Sequence, residues 1–181
     1  MRFDELSYAS PDDPLLRRWI IRGIETLSGR PKLEPTYAAW KEIAAREPDR
    51  MMTRLLELLR VELDIGGVWP ARPAPGEPLV MVANHPFGIG DGIALLAMAE
   101  ALNRPWRIFL AEYLMTVPEI RPVALPIHFE GTRAAIRANL ETRRAARASL
   151  AAGHTLAVFP AGAVATAPTP FGRAVDLPWK N

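Results

Sequence analysis

The fold turns on one stretch, LVMVANHPFGIGDGIALLAMAEAL (79–102). Its first five residues, LVMVA (79–83), form an unbroken apolar run, the pattern of a strand buried on both faces of a parallel sheet. NHPFGIGDG (84–92) interrupts it with a proline and three glycines, the residues that punctuate elements. From about Ile93 to Leu102 the apolar spacing becomes helical. Strand, glycine-rich loop and helix in that order open a β–α unit.

Working outward, the alternation continues. WRIFLA (106–111) and VALPIHF (123–129) read as strands, 132–152 as a long Ala/Arg helix stopped at Gly153, and HTLAVF (154–159) as a fourth strand running into PAGAVATAP. The class is α/β, with a mostly parallel sheet flanked by helices. In such sheets ligands collect where loops leave the C-terminal strand ends. Both NHPFGIGDG and FPAGAV (159–164) sit at such ends.

Upstream, a Pro/Gly-rich connection over 65–78 marks the clearest boundary. It divides an N-terminal helical segment, 1–64, from the α/β core, 79–181. Leu15, Leu16, Trp19, Ile20, Ile24 and Leu27 place a helix over 14–28, with Pro14 suited to its first turn. GRPKLEP (29–35) breaks the pattern, helices follow over 36–46 and 49–60, and VELDIGG (61–67) reads as a short strand.

Composition narrows the classes. The 181 residues are 49% apolar and 23% charged, enough to bury a core and unlike a disordered chain. No apolar stretch approaches the ~20 residues of a membrane-spanning helix. Cysteine is absent, which excludes disulfides, thiolate zinc sites, iron–sulfur clusters and a cysteine nucleophile. MRFDELSYASPDD is acidic and polar, unlike a signal peptide. Net charge is +2, and Arg133, Arg137, Arg143, Arg144 and Arg147 share a segment with Glu141 alone. That segment is either a solvated helix face or a surface for anionic partners. The broad basic face with exposed aromatics of a nucleic-acid binder is missing.

Three histidines restrict the acid–base chemistry. His154 opens a strand and reads as structural, and His128 alternates within one. His85 lies in the loop, between Asn84 and Pro86, with Asp91 following at the head of the next helix. A loop so rich in glycine can fold back to set the carboxylate on the imidazole. That fixes the tautomer and raises the basicity of the other ring nitrogen, giving a general base for a hydroxyl. The plainer alternative makes His85 a loop brace and Asp91 a helix cap. Ser7, Ser10, Ser28 and Ser149 lie in no nucleophile elbow, so substrate or water supplies the proton. No second histidine stands at metal-ligand spacing, so no metal is expected. Gly88, Gly90 and Gly92 loosely imitate a dinucleotide fingerprint, but four residues intervene after the strand and the third glycine comes one place early; a polyphosphate loop fails too, since no Lys-Ser/Thr follows. Phe159-Pro160-Ala161-Gly162 is either a turn whose N–H groups hold a phosphate or an ordinary strand-ending turn.

Together, ValAlaAsnHisProPheGly…AspGly (82–92) and LeuAlaValPheProAlaGly (156–162), with the long helix between, resemble the glycerolipid and lysophospholipid acyltransferase superfamily. The similarity is greatest to its hemolysin-like and lyso-ornithine-lipid acyltransferase branch. SerTyrAla (7–9) and LeuSerGlyArg (27–30) look like the same branch. The resemblance implies transfer of an acyl chain from an acyl thioester, on acyl carrier protein or coenzyme A, to a lysolipid hydroxyl, with no bound cofactor. It implies His85 as general base and Asp91 as its orienting partner, although five residues separate them where the family has four. It implies a substrate-binding set of Asn84, Pro86, Phe87, Gly88, Phe159, Pro160, Gly162 and, more loosely, Arg133. Ala161 replaces the family's glutamate, and no arginine closes the strand before Glu130, which suits an acceptor without a phosphate. A cytoplasmic protein peripheral on the inner face of the membrane is implied. Two other functions fit some features: a non-catalytic lipid- or carrier-binding module (Ala161, the missing arginine) and a nucleotide-binding α/β domain (the glycines). Family members continue well past the Phe-Pro-x-Gly block, so a missing C-terminal part and an exposed sheet edge or apolar face are expected.

Overall fold

A computed structural model describes residues 30–70, 73–74, 76–167, 172–173 and 175–179. The helix expected over 14–28 lies outside them. The chain forms two compact units, 1–48 and 49–181, so the connection at 65–78 falls inside the second.

In the first unit, α1 spans Arg30–Arg46, starting six residues before the expected helix. Pro31 occupies the first turn, where its missing N–H would have no intrahelical partner, and Pro35 removes only the bond to the carbonyl four residues back. GRPKLEP therefore lengthens this helix instead of breaking it. Tyr37, Trp40 and Ala44 form its buried face, at helical spacing.

In the second unit, α2 (Met51–Leu59) buries Met51, Met52 and Leu56 and ends at Arg60 in the left-handed region, φ 55°. VELDIGG forms no strand. Its alternating Val61 and Ile65 are exposed, and no neighbouring strand receives its backbone. Among the described residues four strands follow: β1 (Leu79–Val82), β2 (Trp106–Ala111), β3 (Ala124–Ile127) and β4 (Thr155–Val158). They pair in the order β1-β4-β2-β3, parallel throughout.

The helices are α3 (Ile89–Glu100), between β1 and β2, and α4 (Arg133–Ala151), between β3 and β4. The two crossovers run in opposite directions along the sheet, so right-handed connections place them on opposite faces. A row of aligned residues, Met81, Ala157, Ile108 and Ala124, faces the α3 side, and all four are buried. On the other side Leu125 and Leu156 pack with Ala146, Phe109, Ala145 and Leu150. α4 covers β3 and β4 but leaves β1 bare, so Val80 is 48% and Val82 52% exposed. The unbroken apolar run at 79–83 thus marks an edge strand covered on one face, not the doubly buried strand its composition suggests. An open sheet has edges at any chain length, so these valines do not bear on where the chain ends.

α3 begins four residues earlier than its apolar pattern. Gly90 and Gly92 occupy its first turns, and glycine's poor helix propensity hides the start. α2 packs on α3 through a specific polar joint. Arg50 provides no side-chain cap for α2. Glu100, buried at the end of α3, accepts the Met52 N–H at 2.9 Å, the Thr53 N–H at 2.8 Å and the Thr53 hydroxyl at 2.7 Å. A carboxylate distant in sequence thereby satisfies first-turn donors that a local cap normally takes. Its burial pushes its pKa above the usual carboxylate value, against the opposing pull of those bonds and the Arg50 charge. α4 is capped by Thr132, whose Oγ1 accepts the Ala135 N–H at 3.1 Å. It stops at Gly153, whose φ is 78° and where a β-carbon would meet the Gly76 backbone at 3.0 Å. Among the described residues, no helix is long and apolar enough to cross a membrane.

Candidate active site

Beyond Val82 the β1 backbone makes one further bond toward β4, from Ala83 N–H to Val158 O at 3.3 Å. This keeps the two chains side by side as they leave the sheet. The loop then reverses at Gly88, whose φ of 72° and ψ of −125° suit only glycine. A β-carbon there would meet only Val164 Cγ2 at 3.6 Å, so conformation and not space demands the residue. The reversal brings Asp91, in the first turn of α3, back over the loop it closes.

Asp91 Oδ2 lies 3.1 Å from His85 Nδ1 and accepts the Phe87 N–H at 2.7 Å. A carboxylate oxygen accepts hydrogen bonds, so the contact suits the tautomer with its hydrogen on Nδ1, which leaves Nε2 as the nitrogen that can take a proton. Asp91 acts as more than a helix cap, because Gly88 holds the N-cap position without a side-chain bond. Both side chains are largely covered, at 18% and 14% exposure.

Three contacts from elsewhere in the chain hold His85. The Phe159 ring stacks on the imidazole, with centroids 4.2 Å apart and planes 19° from parallel. The His85 carbonyl accepts the Ala165 N–H at 2.8 Å. The His85 N–H faces Asp176 Oδ1 at 3.4 Å. Asp176 and Ala165 escape a reading by motif because nothing local marks them; Asp176 lies 91 positions from His85.

The expected site residues therefore divide. His85, Phe87 and Gly88 belong to one loop, Asp91 reaches it from the first turn of α3, and Phe159 lies upon His85. Asn84 and Pro86 are exposed in that loop. Pro160 follows Phe159 into a turn closed by Gly162 N–H on the Phe159 carbonyl at 3.0 Å, with Gly162 at φ 72° and Ala161 fully buried. Arg133 does not join them. It is exposed at the head of α4, beyond the end of β3, and β2 and β4 separate that strand from β1. Among the described residues no hydrogen bond or ion pair connects it to His85 or Asp91. His128 lies one residue past β3, not within a strand; Asn139 clamps its backbone, taking its N–H at 2.9 Å and donating to its carbonyl at 2.8 Å.

A cavity of about 530 Å³, lined by Pro70, Gly76, Asn103, Arg104, Pro105 and Gly153 among others, lies at the opposite, N-terminal end of the sheet. The His85 pair occupies an open ledge rimmed by Phe87 and Ile89, which are 83% and 77% exposed. No group of three or more potential metal ligands gathers among the described residues. Compared with known proteins, the chain matches no family model, no curated protein and no solved structure.

Proposed function

We propose that the protein is an acyltransferase that moves a fatty acyl chain from an acyl thioester to the hydroxyl of a lysolipid. The observation that carries the reading is the His85 Nδ1 to Asp91 Oδ2 contact at 3.1 Å, at the C-terminal end of a parallel sheet where such folds place ligands. The loop carrying it is also the segment that most resembles the glycerolipid acyltransferases.

In this reaction His85 Nε2 takes the acceptor's hydroxyl proton as its oxygen attacks the thioester carbonyl. Asp91 stabilises the imidazolium that forms. The C–S bond breaks as the tetrahedral intermediate collapses, and the imidazolium returns the proton to the departing thiolate. No covalent acyl-enzyme is needed. The N–H groups of Ile89 and Gly90, in the first turn of α3, have no intrahelical acceptor and suit the developing oxyanion.

A lipid acceptor fits the rim. Phe87 and Ile89 expose apolar side chains beside the pair, and each contributes about 1.5–3 kcal/mol when fully buried against an acyl chain. The same side chains suit work at a membrane surface. The exposed arginines of α4 suit an acidic acyl carrier protein or anionic lipid.

The test is transfer of a labelled acyl chain from acyl-coenzyme A or acyl-carrier protein to a panel of lysolipids. Wild type is expected to turn over and His85→Ala to lose about 10²–10⁴-fold. Equal rates in the two proteins refute the reading. The strongly exposed Phe87 and Ile89 beside the pair, with Ala161 where the family carries a glutamate, favour a second reading as a non-catalytic lipid- or carrier-binding module. Binding without turnover in the same assay selects it.

A further inference from the structure

Asp91 holds the imidazole by one atom. A single hydrogen bond at Nδ1 leaves the ring free to rock about the Nδ1···Oδ2 line and so swing Nε2 out of position. The structure places an aromatic face against that motion: the Phe159 ring lies 4.2 Å from the imidazole at 19°. Phe159 is itself held. The strand before it pairs with β1, Val82 opposite Val158, and the turn after it closes on its own carbonyl at 3.0 Å around the fully buried Ala161. We infer that Phe159 is a positioning residue for the His85 base, fixing the plane of the imidazole while Asp91 fixes its direction.

This inference rests on the acyl-transfer reading and changes the work of one motif in it. The Phe-Pro-Ala-Gly turn then serves the base from the neighbouring strand; the ring face that would otherwise meet a ligand is occupied by His85. The two segments act as one device because the β1–β4 register delivers them side by side. A misplaced base lowers the chemical step while leaving substrate affinity alone.

Two measurements test it. Proton NMR of the intact, substrate-free protein reads the ring current: the His85 ring protons of wild type are expected upfield of ordinary histidine values. Phe159→Leu is expected to return them, while Phe159→Tyr keeps the displacement. In acyl transfer from acyl-coenzyme A to a lysolipid, Phe159→Leu is expected to lower kcat by roughly tenfold with KM unchanged, and Phe159→Tyr to restore it. A wild-type kcat in Phe159→Leu beside an inactive His85→Ala overturns the positioning role and leaves acyl transfer standing. A raised KM with unchanged kcat also overturns it, since Phe159 then binds substrate. Full activity in His85→Ala overturns the reading and the positioning role together. Undisplaced ring protons in folded wild type overturn the stack itself.

Discussion

Asp91 carries the His85 ring nitrogen and the Phe87 backbone N–H on the same carboxylate oxygen, at 3.1 and 2.7 Å. One side chain thus closes the loop and orients the base, so the two roles separate only when the charge is removed without changing the shape. Asp91→Asn does this. Its amide oxygen, in the place of Oδ2, still accepts from both Phe87 N–H and His85 Nδ1, but the negative charge that stabilises the imidazolium in the reaction is gone. Acyl transfer is expected to fall about 10²–10⁴-fold while circular dichroism stays native. Labelled-acyl transfer and ¹⁵N NMR of the His85 ring check both halves. A hydrogen still on Nδ1 with full activity defeats the account.

The loop's glycines differ in what they do. Gly88 adopts φ 72°, whereas Gly90 has an ordinary φ and nothing within 4 Å of a built β-carbon. Gly88→Ala is expected to destabilise by about 1–3 kcal/mol. Gly90→Ala, in the first turn of α3, is expected to stabilise by about 0.5–1 kcal/mol. Urea unfolding of the two variants should shift the midpoint in opposite directions.

The same loop shows what a sequence conveys. Strand, glycine-rich reversal and helix are local patterns, so β1, α3 and the approach of Asp91 to His85 follow from composition over a dozen residues. The helix start at Ile89 was concealed because glycine reads as loop whether or not it is helical. The edge position of β1 depends on β4 inserting between β1 and β2, a long-range pairing that LVMVA does not encode. The start of α1 is hidden by Pro31, which a first turn tolerates, and by Pro35, which the helix carries in its second turn. Phe159 was legible as part of a motif, but its stack on His85 exists only once the two strands pair.

Thr155 is fully buried in β4, and its Oγ1 has no hydrogen-bond partner among the described residues. A hydroxyl taken from water and left unpaired costs about 1–3 kcal/mol, and valine fills nearly the same volume at higher strand propensity. Thr155→Val is expected to stabilise by about 1 kcal/mol, read as a higher urea midpoint with unchanged m. A loss of stability shows that the hydroxyl is satisfied after all.

Glu100 makes the joint between α2 and α3 pH-sensitive. Burial raises its pKa in the folded protein above the ordinary carboxylate value, outweighing the lowering by Met52, Thr53 and Arg50. The native state therefore holds this proton more tightly than the unfolded chain. The group's contribution is greatest below the ordinary carboxylate range. It declines as pH rises from there to the raised folded value, then levels off. Glu100→Gln removes the titration, so wild-type stability minus that of Glu100→Gln is expected to fall with rising pH across that window. Urea unfolding at several pH values from the carboxylate range to neutrality gives this difference, and a rising difference reverses the sign argued here. Glu100→Ala goes further, because it strands the Met52 and Thr53 N–H groups at the start of α2. At neutral pH it is expected to cost about 1–3 kcal/mol, with hydrogen exchange in the first turn of α2 accelerating before that of the sheet.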